Sequence, residues 1–517
     1  MKQYLDKSGL MYLLSKLASN KELQALEKRI EALENNKASN ILLEGKNISY
    51  TSEEDSIYEL YFADENGNKL EDYDKICEFN ATIGVKNTYS DLNSLNIAPT
   101  EAKKIIAIKQ STSEKVDEVA INTSLSLTNK NLGNKLYSVG LLSDVHIDGN
   151  GDGDNTDTAD SVSDFQRALT YLNSQNVDFI AVCGDITYYG YEADYQEFNN
   201  IVNTYSPNTP VKTIRGNHEC YENGESNYNA SNTLYSTYRG DLYYEYIHTN
   251  GDVYLFLGND SESSSKPLNS EELTWLKGKL ETYRNQRVFM FVHYYYEPVG
   301  NANGISPHSS IATTDGSLGK EFVDMITRYK NVIYFSGHTH LDFRLQKYAD
   351  TANIMKADTI CHRVHIPSLA KPRVSSDGTT GTATNSNSGS QGYIMDVYEN
   401  AIVLRGREYE ISKFLPIANY CLDTTPIEIS AEGEGTNLFY QDTEKTYTSS
   451  SSGYSYTWGT DKTILVNSDN SMTKDAQKSS NEFQLELTAG KTYKLTAEYV
   501  SGEATKLDDG ISIDFSI

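Results

Sequence analysis

The chain has 517 residues, too many for one ordinary core, so several domains are expected. Its 38% hydrophobic and 23% charged residues exclude a disordered chain, and no apolar run approaches the roughly 20 residues that a bilayer span needs. A formal net charge of −27 opposes non-specific nucleic-acid binding, which takes clustered Lys and Arg, but it leaves room for phosphate chemistry where metal ions neutralise the substrate locally.

In chain order, residues 1 to about 37 read as helix. Leu10, Leu13, Leu14 and Leu17 share one face, and Leu23, Leu26, Ile30 and Leu33 follow at the alternating spacings of a coiled-coil seam. The seam covers only about two heptads, so it fits either a homotrimer or a helix packed on its own domain. The stretch from Met1 to Leu10 lacks the basic-then-apolar pattern of a secretory signal, which predicts synthesis in the cytoplasm. From 40 to 130, short β-like runs such as Ile57 to Phe62 and Lys104 to Ile108 alternate with polar turns, as in a small β-rich domain. The five cysteines are odd in number and far apart; they form neither a disulfide framework nor a thiolate metal site, and Cys183 reads as a buried free thiol.

The pattern changes at Tyr137. A strand to Ser143, a helix over 163–175, a strand over Val177 to Cys183, a helix over 192–205 and a strand over Pro210 to Ile214 make a βαβαβ alternation. That alternation predicts a largely parallel sheet covered by helices. Tyr243 to Leu257 reads as a hairpin turning at Asn250-Gly251. Helices over 270–284 and 320–329 precede the strands Val288 to Val292 and Val332 to Ser336, and a hairpin over 392–405 ends the region near 420. Residues 426 to 517 return to β character and predict a terminal β-sandwich, with Ser449 to Ser452 as a loop.

Ligands of parallel sheets gather beyond the carboxyl ends of the strands, and here each such end carries polar residues. The first gives Asp144 and His146, the second Gly184-Asp185, and the third Gly216-Asn217-His218-Glu219. The fourth gives His293, and the fifth Gly337-His338-Thr339-His340. Five of the nine histidines fall at these ends, which sets the series apart from a scatter of surface residues. Imidazoles mixed with carboxylates suit Zn, Mn, Fe or Ni better than Ca. Seven candidate ligands are enough for two ions about 3.5–4 Å apart, a spacing suited to in-line phosphoryl displacement.

With these residues the chain from 136 to 422 resembles the calcineurin-like metallophosphoesterase superfamily, whose pattern is Asp-x-His, Gly-Asp, Gly-Asn-His-Asp/Glu, a lone His and Gly-His-x-His. The resemblance implies a four-layer α/β sandwich and two divalent metal ions that generate the attacking hydroxide. It implies Asp144, His146 and His340 on one ion, Asn217, His293 and His338 on the other, and Asp185 bridging. It also implies His218 as general acid or phosphate-positioning group, with Glu219 orienting its imidazole. Two departures matter. Tyr188 and Tyr189 stand where the protein Ser/Thr phosphatase branch carries its phosphate-gripping arginine, and Tyr294 follows the lone His293, where diesterase-type members often have a second histidine.

The reading is therefore a binuclear phosphoesterase, of diesters before monoesters. The first 20 or so residues resemble the short N-terminal helices of phage and prophage tail-associated proteins. That resemblance implies an enzyme on a virion, beside other tail proteins, and with it a cell-surface phosphodiester such as teichoic acid as the substrate. The rival readings are a tail component whose phosphoesterase fold is inactive, and an intracellular enzyme of nucleotides or glycerophosphodiesters. Asp148 to Asp154 imitates the start of a calcium loop without the Glu of its twelfth position, and a loop at the site mouth is the better reading.

Overall fold

The computed structural model describes residues 39–424 apart from 150–159, 221–227, 259–267, 301–309, 312, 314–316, 327–328, 330, 349–352, 356–360, 376–382 and 386–388. Beyond 424 it describes 445–448, 455–458 and 464–467. The helix and seam expected over 1–37, most of the calcium-like loop, the serine-rich loop and most of the terminal β-sandwich lie outside the described residues. The chain divides into two compact units, the first ending at Glu428 and the second starting at Ile429.

The first unit opens with seven strands: β1 (Ile41–Glu44), β2 (Asn47–Thr51), β3 (Ser56–Ala63), β4 (Cys77–Ala81), β5 (Lys86–Tyr89), β6 (Lys104–Lys109) and β7 (Glu114–Ala120). They form two antiparallel sheets, ordered β1-β2-β5 and β4-β3-β6-β7. Tyr58, Leu60 and Phe62, alternate residues of β3, are buried in one core with Phe165 and Phe198 of the helical layer described next. Tyr73 packs on Phe414 with ring centres 5.2 Å apart, and the Asn96 amide donates to the carbonyls of Ile417 and Asn419 at 2.8 and 3.1 Å.

Two six-stranded sheets follow. The first comprises β8 (Lys135–Leu142), β9 (Phe179–Val182) and β10 (Val211–Thr213), parallel to one another, with β19 (Gln391–Tyr398), β20 (Ala401–Glu408) and β21 (Lys413–Asp423) added antiparallel beyond β8. In the second, β12 (Val253–Leu257), β13 (Val288–Val292), β14 (Val332–Ser336) and β16 (His362–His365) run parallel, flanked by antiparallel β11 (Tyr243–Ile247) and β15 (Ile354–Met355). A short ribbon, β17 (Arg373–Ser375) with β18 (Ala383–Asn385), completes this part.

Alternation along the strands explains the layering. Val139, Leu141 and Phe179 meet Phe256, Phe289, Phe291 and Phe335 between the sheets. The opposite faces are covered by helices. Leu142, Ile180 and Val182 pack on α1 (Ser161–Ser174) and α2 (Glu192–Tyr205), beside which lies α3 (Tyr228–Arg239). Leu255, Met290 and Val292 pack on α4 (Ser270–Thr282) and α5 (Leu318–Ile326). Strands buried on both faces carry unbroken apolar runs, which is why Val288 to Val292 shows no polar alternation. The result is the four-layer α/β sandwich expected from the motifs.

Helix α2 spans the residues read from its periodicity, and the hairpin turns at Gly251 with a φ of 95°. All five cysteines are buried, and none is in a disulfide. The described strands of the second unit, β22 (Lys445–Thr448), β23 (Ser455–Trp458) and β24 (Ile464–Asn467), form an antiparallel sheet in that order. Among the described residues no helix is long and apolar enough to cross a membrane.

A candidate metal centre

Every parallel strand of interest ends at one place. The residues after β8, β9, β13 and β14 bring Asp144, His146, Asp185 and His340 into one group, and Asp185, His293 and His338 into another, each with its ligand atoms within 4.8 Å of one another. All six are buried, and Asp185 belongs to both groups. Asn217, from the turn after β10, joins the second group through its Oδ1, 3.2 Å from His293 Nε2.

The backbone is bent to achieve this. Asp144, His146, Asp185, His338 and His340 all have positive φ, between 49° and 70°, and they make up most of the non-glycine residues in that conformation among the described residues. Such backbone costs about 1–3 kcal/mol per residue and survives where surrounding structure imposes it. The imposing contacts are visible. Val145 and His146 N–H donate to the Asp185 carbonyl at 2.8 and 3.0 Å, and Gly337 N–H donates to the His293 carbonyl at 3.0 Å. The motif glycines answer to close approach: a Cβ on Gly184 would enter the His293 ring, one on Gly216 the Asp185 carboxylate, and one on Gly337 the Ser143 hydroxyl and Asp144 carboxylate.

Each imidazole is aimed by its second nitrogen or its neighbours. His293 Nδ1 donates to the Cys183 carbonyl at 2.7 Å, which turns Nε2 toward Asp185 Oδ2 at 3.0 Å. His340 Nε2 lies 3.1 Å from Asp144 Oδ1 and 3.2 Å from His146 Nε2. Two buried imidazole nitrogens pointing at each other need a proton or a cation between them, and the His146 Nδ1 is buried with no hydrogen-bond partner. Paired carboxylates, imidazoles and an amide oxygen in so small a volume fit two divalent ions.

Electrostatics agree with that fit. Burial alone would raise the Asp185 carboxyl, but the His293 and His218 imidazoles hold it well below its usual range. Burial pushes the His146 imidazole well down, helped by His218 and His340. Burial also opposes charge on His293, yet the Asp185 carboxylate overrides it and raises the pKa to about 10. A divalent ion bound at Nε2 must displace that proton. Metal uptake should therefore release protons at neutral pH, and affinity should climb with pH, up to about tenfold per unit for each proton displaced. Calorimetric titration of Mn2+ in buffers of different ionisation enthalpy checks this; uptake without proton release would remove His293 from the ligand set.

His218 stands beside the ligands, its ring 4.4 Å from that of His146, and its N–H donates to Asp185 Oδ1 at 2.9 Å. Glu219 does not orient this imidazole, contrary to the expectation. The nitrogen Nδ1 meets the Tyr188 carbonyl at 2.7 Å instead. The Glu219 carboxylate points the other way, accepting from Thr187 N and Oγ1 at 2.8 and 2.9 Å and from Gly216 N at 2.7 Å. It clamps the turns after β9 and β10 together, while burial and the Asp185 charge push its pKa up to about 7. The position is close in sequence to His218, but a 3-10 turn over His218–Cys220 directs the two side chains apart.

Sequence reading missed a sixth strand end. β16 reads His-Arg-Val-His and has no apolar run, so nothing marked it as a buried strand. It lies parallel to β14, and the chain leaving it passes directly under the site. His365 Nε2 meets Thr339 Oγ1 at 2.7 Å, between the two ligands of the last motif. Burial lowers the pKa of that imidazole to about 3, so it is neutral. Ser368 Oγ donates to the Asp144 carbonyl at 3.0 Å.

Residues 137–342 match the family described as calcineurin-like phosphoesterase. No curated protein matches the sequence. Among solved structures, a dimetal phosphatase from Danio rerio aligns at 14% identity over 56% of this chain and 100% of its own, with a TM-score of 0.39. A purple acid phosphatase from yellow lupin (Lupinus luteus) seeds aligns at 12% identity over 74% of each chain, with a TM-score of 0.40. A phosphoesterase from E. coli, Yfce, aligns at 10% identity over 55% of this chain and 100% of its own, with a TM-score of 0.26.

Proposed function

Taking residues 137–342 as a calcineurin-like phosphoesterase domain, we propose that the chain hydrolyses a phosphodiester at a centre of two divalent ions. The observation that carries this is Asp185, a single buried carboxylate common to two groups of ligand atoms. Asp144, His146, His340 and Asp185 would hold one ion, and Asn217, His293, His338 and Asp185 the other. When bound, such ions activate water near neutral pH and offset charge on the phosphoryl oxygens.

The side chains divide the remaining work. Asp185 Oδ1 accepts the His218 N–H, so the carboxylate that joins the two groups also sets the position of His218. With Nδ1 committed to the Tyr188 carbonyl, His218 passes a proton through Nε2 to the departing ester oxygen. Glu219 keeps the two turns in register but touches no reacting atom.

Preference for a diester rests on Tyr188 and Tyr189, which stand where a monoester-binding arginine would. The leucine seam expected at 23–33 supports mounting as a trimer on a larger assembly such as a phage tail. There a glycerol-phosphate polymer of the teichoic acid type is the matching substrate.

The test is turnover of bis-p-nitrophenyl phosphate against p-nitrophenyl phosphate by Mn2+-loaded protein, followed by glycerophosphodiesters and teichoic acid. The diester should be cleaved faster. A preference for the monoester would reject the diester reading, and no cleavage of either would leave a binding scaffold.

A further inference from the structure

Lys371 is a further residue beside the site that none of the motifs includes. It follows β16, and its 6% exposure is low for a lysine. Its ammonium lies 4.9 Å from the centre of the Tyr188 ring. That ring is 5.9 Å from the ring of His146 and 5.5 Å from that of His218. A charge held over an aromatic face at a site wall is oriented as well as buried.

The segment that carries it is pinned to the ligand loops. Leu369 and Ala370 N–H donate to the carbonyls of Ser143 and Asp144 at 2.9 and 3.3 Å. Arg373 N–H donates to the His340 carbonyl at 2.5 Å. Ser368 Oγ links the two, donating to the Asp144 carbonyl at 3.0 Å and accepting from Lys371 N–H at 2.9 Å. The backbone that carries the lysine is thus fixed by bonds to the loops of the ligand residues. Its charge also bears on the His146 imidazole, disfavouring the protonated form.

We infer that Lys371 is a substrate-binding residue, whose ammonium grips a non-bridging oxygen of the phosphoester on the His146 and His218 side of the centre. It supplies the cation that the Tyr188-Tyr189 sequence lacks, from a different strand end and with Tyr188 as its platform. Lysine binds phosphate as a point charge, which suits the single negative charge of a diester; a monoester, with three free oxygens and up to two charges, would call for more than one such contact. The inference rests on the phosphoesterase reading for its substrate, but the contact with phosphate can be measured without turnover.

The experiment compares wild type, Lys371→Met and Lys371→Arg, each loaded with Mn2+ and analysed for metal content. Inorganic phosphate binding is measured by calorimetry, and KM and kcat with bis-p-nitrophenyl phosphate. Loss of one charge-assisted contact should weaken phosphate binding and raise KM in Lys371→Met on the order of 10- to 100-fold. Metal content should stay at the wild-type level, kcat should change much less than KM, and Lys371→Arg should recover most of the loss. Unchanged phosphate affinity in Lys371→Met would overturn the inference, as would loss of metal in that variant, which would make the residue structural. If Lys371→Met does not fold, Lys371→Gln takes its place: weakened phosphate binding with the metal retained supports the grip, and wild-type binding overturns it. Wild type that binds phosphate through Lys371 but cleaves no ester would contradict the phosphoesterase reading alone.

Discussion

Asp185→Asn should lower kcat/KM for a phosphoester by at least about 10³-fold and reduce the bound metal below that of wild type. The side chain keeps its size, so it still fits against Gly216, where there is no room for even a Cβ. The amide oxygen can still accept the His218 N–H that Asp185 Oδ1 accepts at 2.9 Å. What disappears is the negative charge that both ligand groups use and that sets the pKa of His293. Kinetics with metal analysis on the same sample separates the two effects. Full metal occupancy with undiminished turnover would remove Asp185 from the bridging position.

His218→Ala should act differently. Its expected cost is on the order of 10²–10⁴ in kcat, with the metal complement intact, because the hydrogen bond to Asp185 comes from the backbone N–H of residue 218, which alanine retains. The loss should be largest for an ester with a poor leaving group and should shrink for p-nitrophenolate, which departs without a proton. Burial lowers the pKa of the imidazole even against the Asp185 charge. The acidic form is therefore scarce at neutral pH, and the loss should shrink as pH rises and the wild-type imidazole sheds its proton too. Equal losses for all leaving groups would make His218 a positioning residue for the phosphate.

How much of this could be read from the chain follows from where the information lies. Val288 to Val292 and Val332 to Ser336 are strands buried on both faces, and their apolar runs end on the residues that form the site. The glycines at 184, 216 and 337 sit where a side chain would collide with a ligand, so they mark those ends too. β16 escaped because its four residues are buried through hydrogen bonds and ring contacts more than through apolar packing, and His365, Ser368 and Lys371 went with it. Glu219 was misassigned for a related reason. Adjacency to His218 suggests a pair, but a 3-10 turn and the donors of Thr187 and Gly216 decide where a carboxylate points. Local spacing reports which strand end a residue occupies; the partner across the site depends on strand order, which spacing does not carry.

If two ions share Asp185, hydrolysis should need both. The most direct test is to strip the protein of metal, add Mn2+ in steps, and follow bound ions per chain alongside cleavage of bis-p-nitrophenyl phosphate. The arrangement predicts two ions bound per chain and turnover that appears only as the second site fills. Turnover by the stripped protein, or saturation at a single ion with full activity, would contradict it.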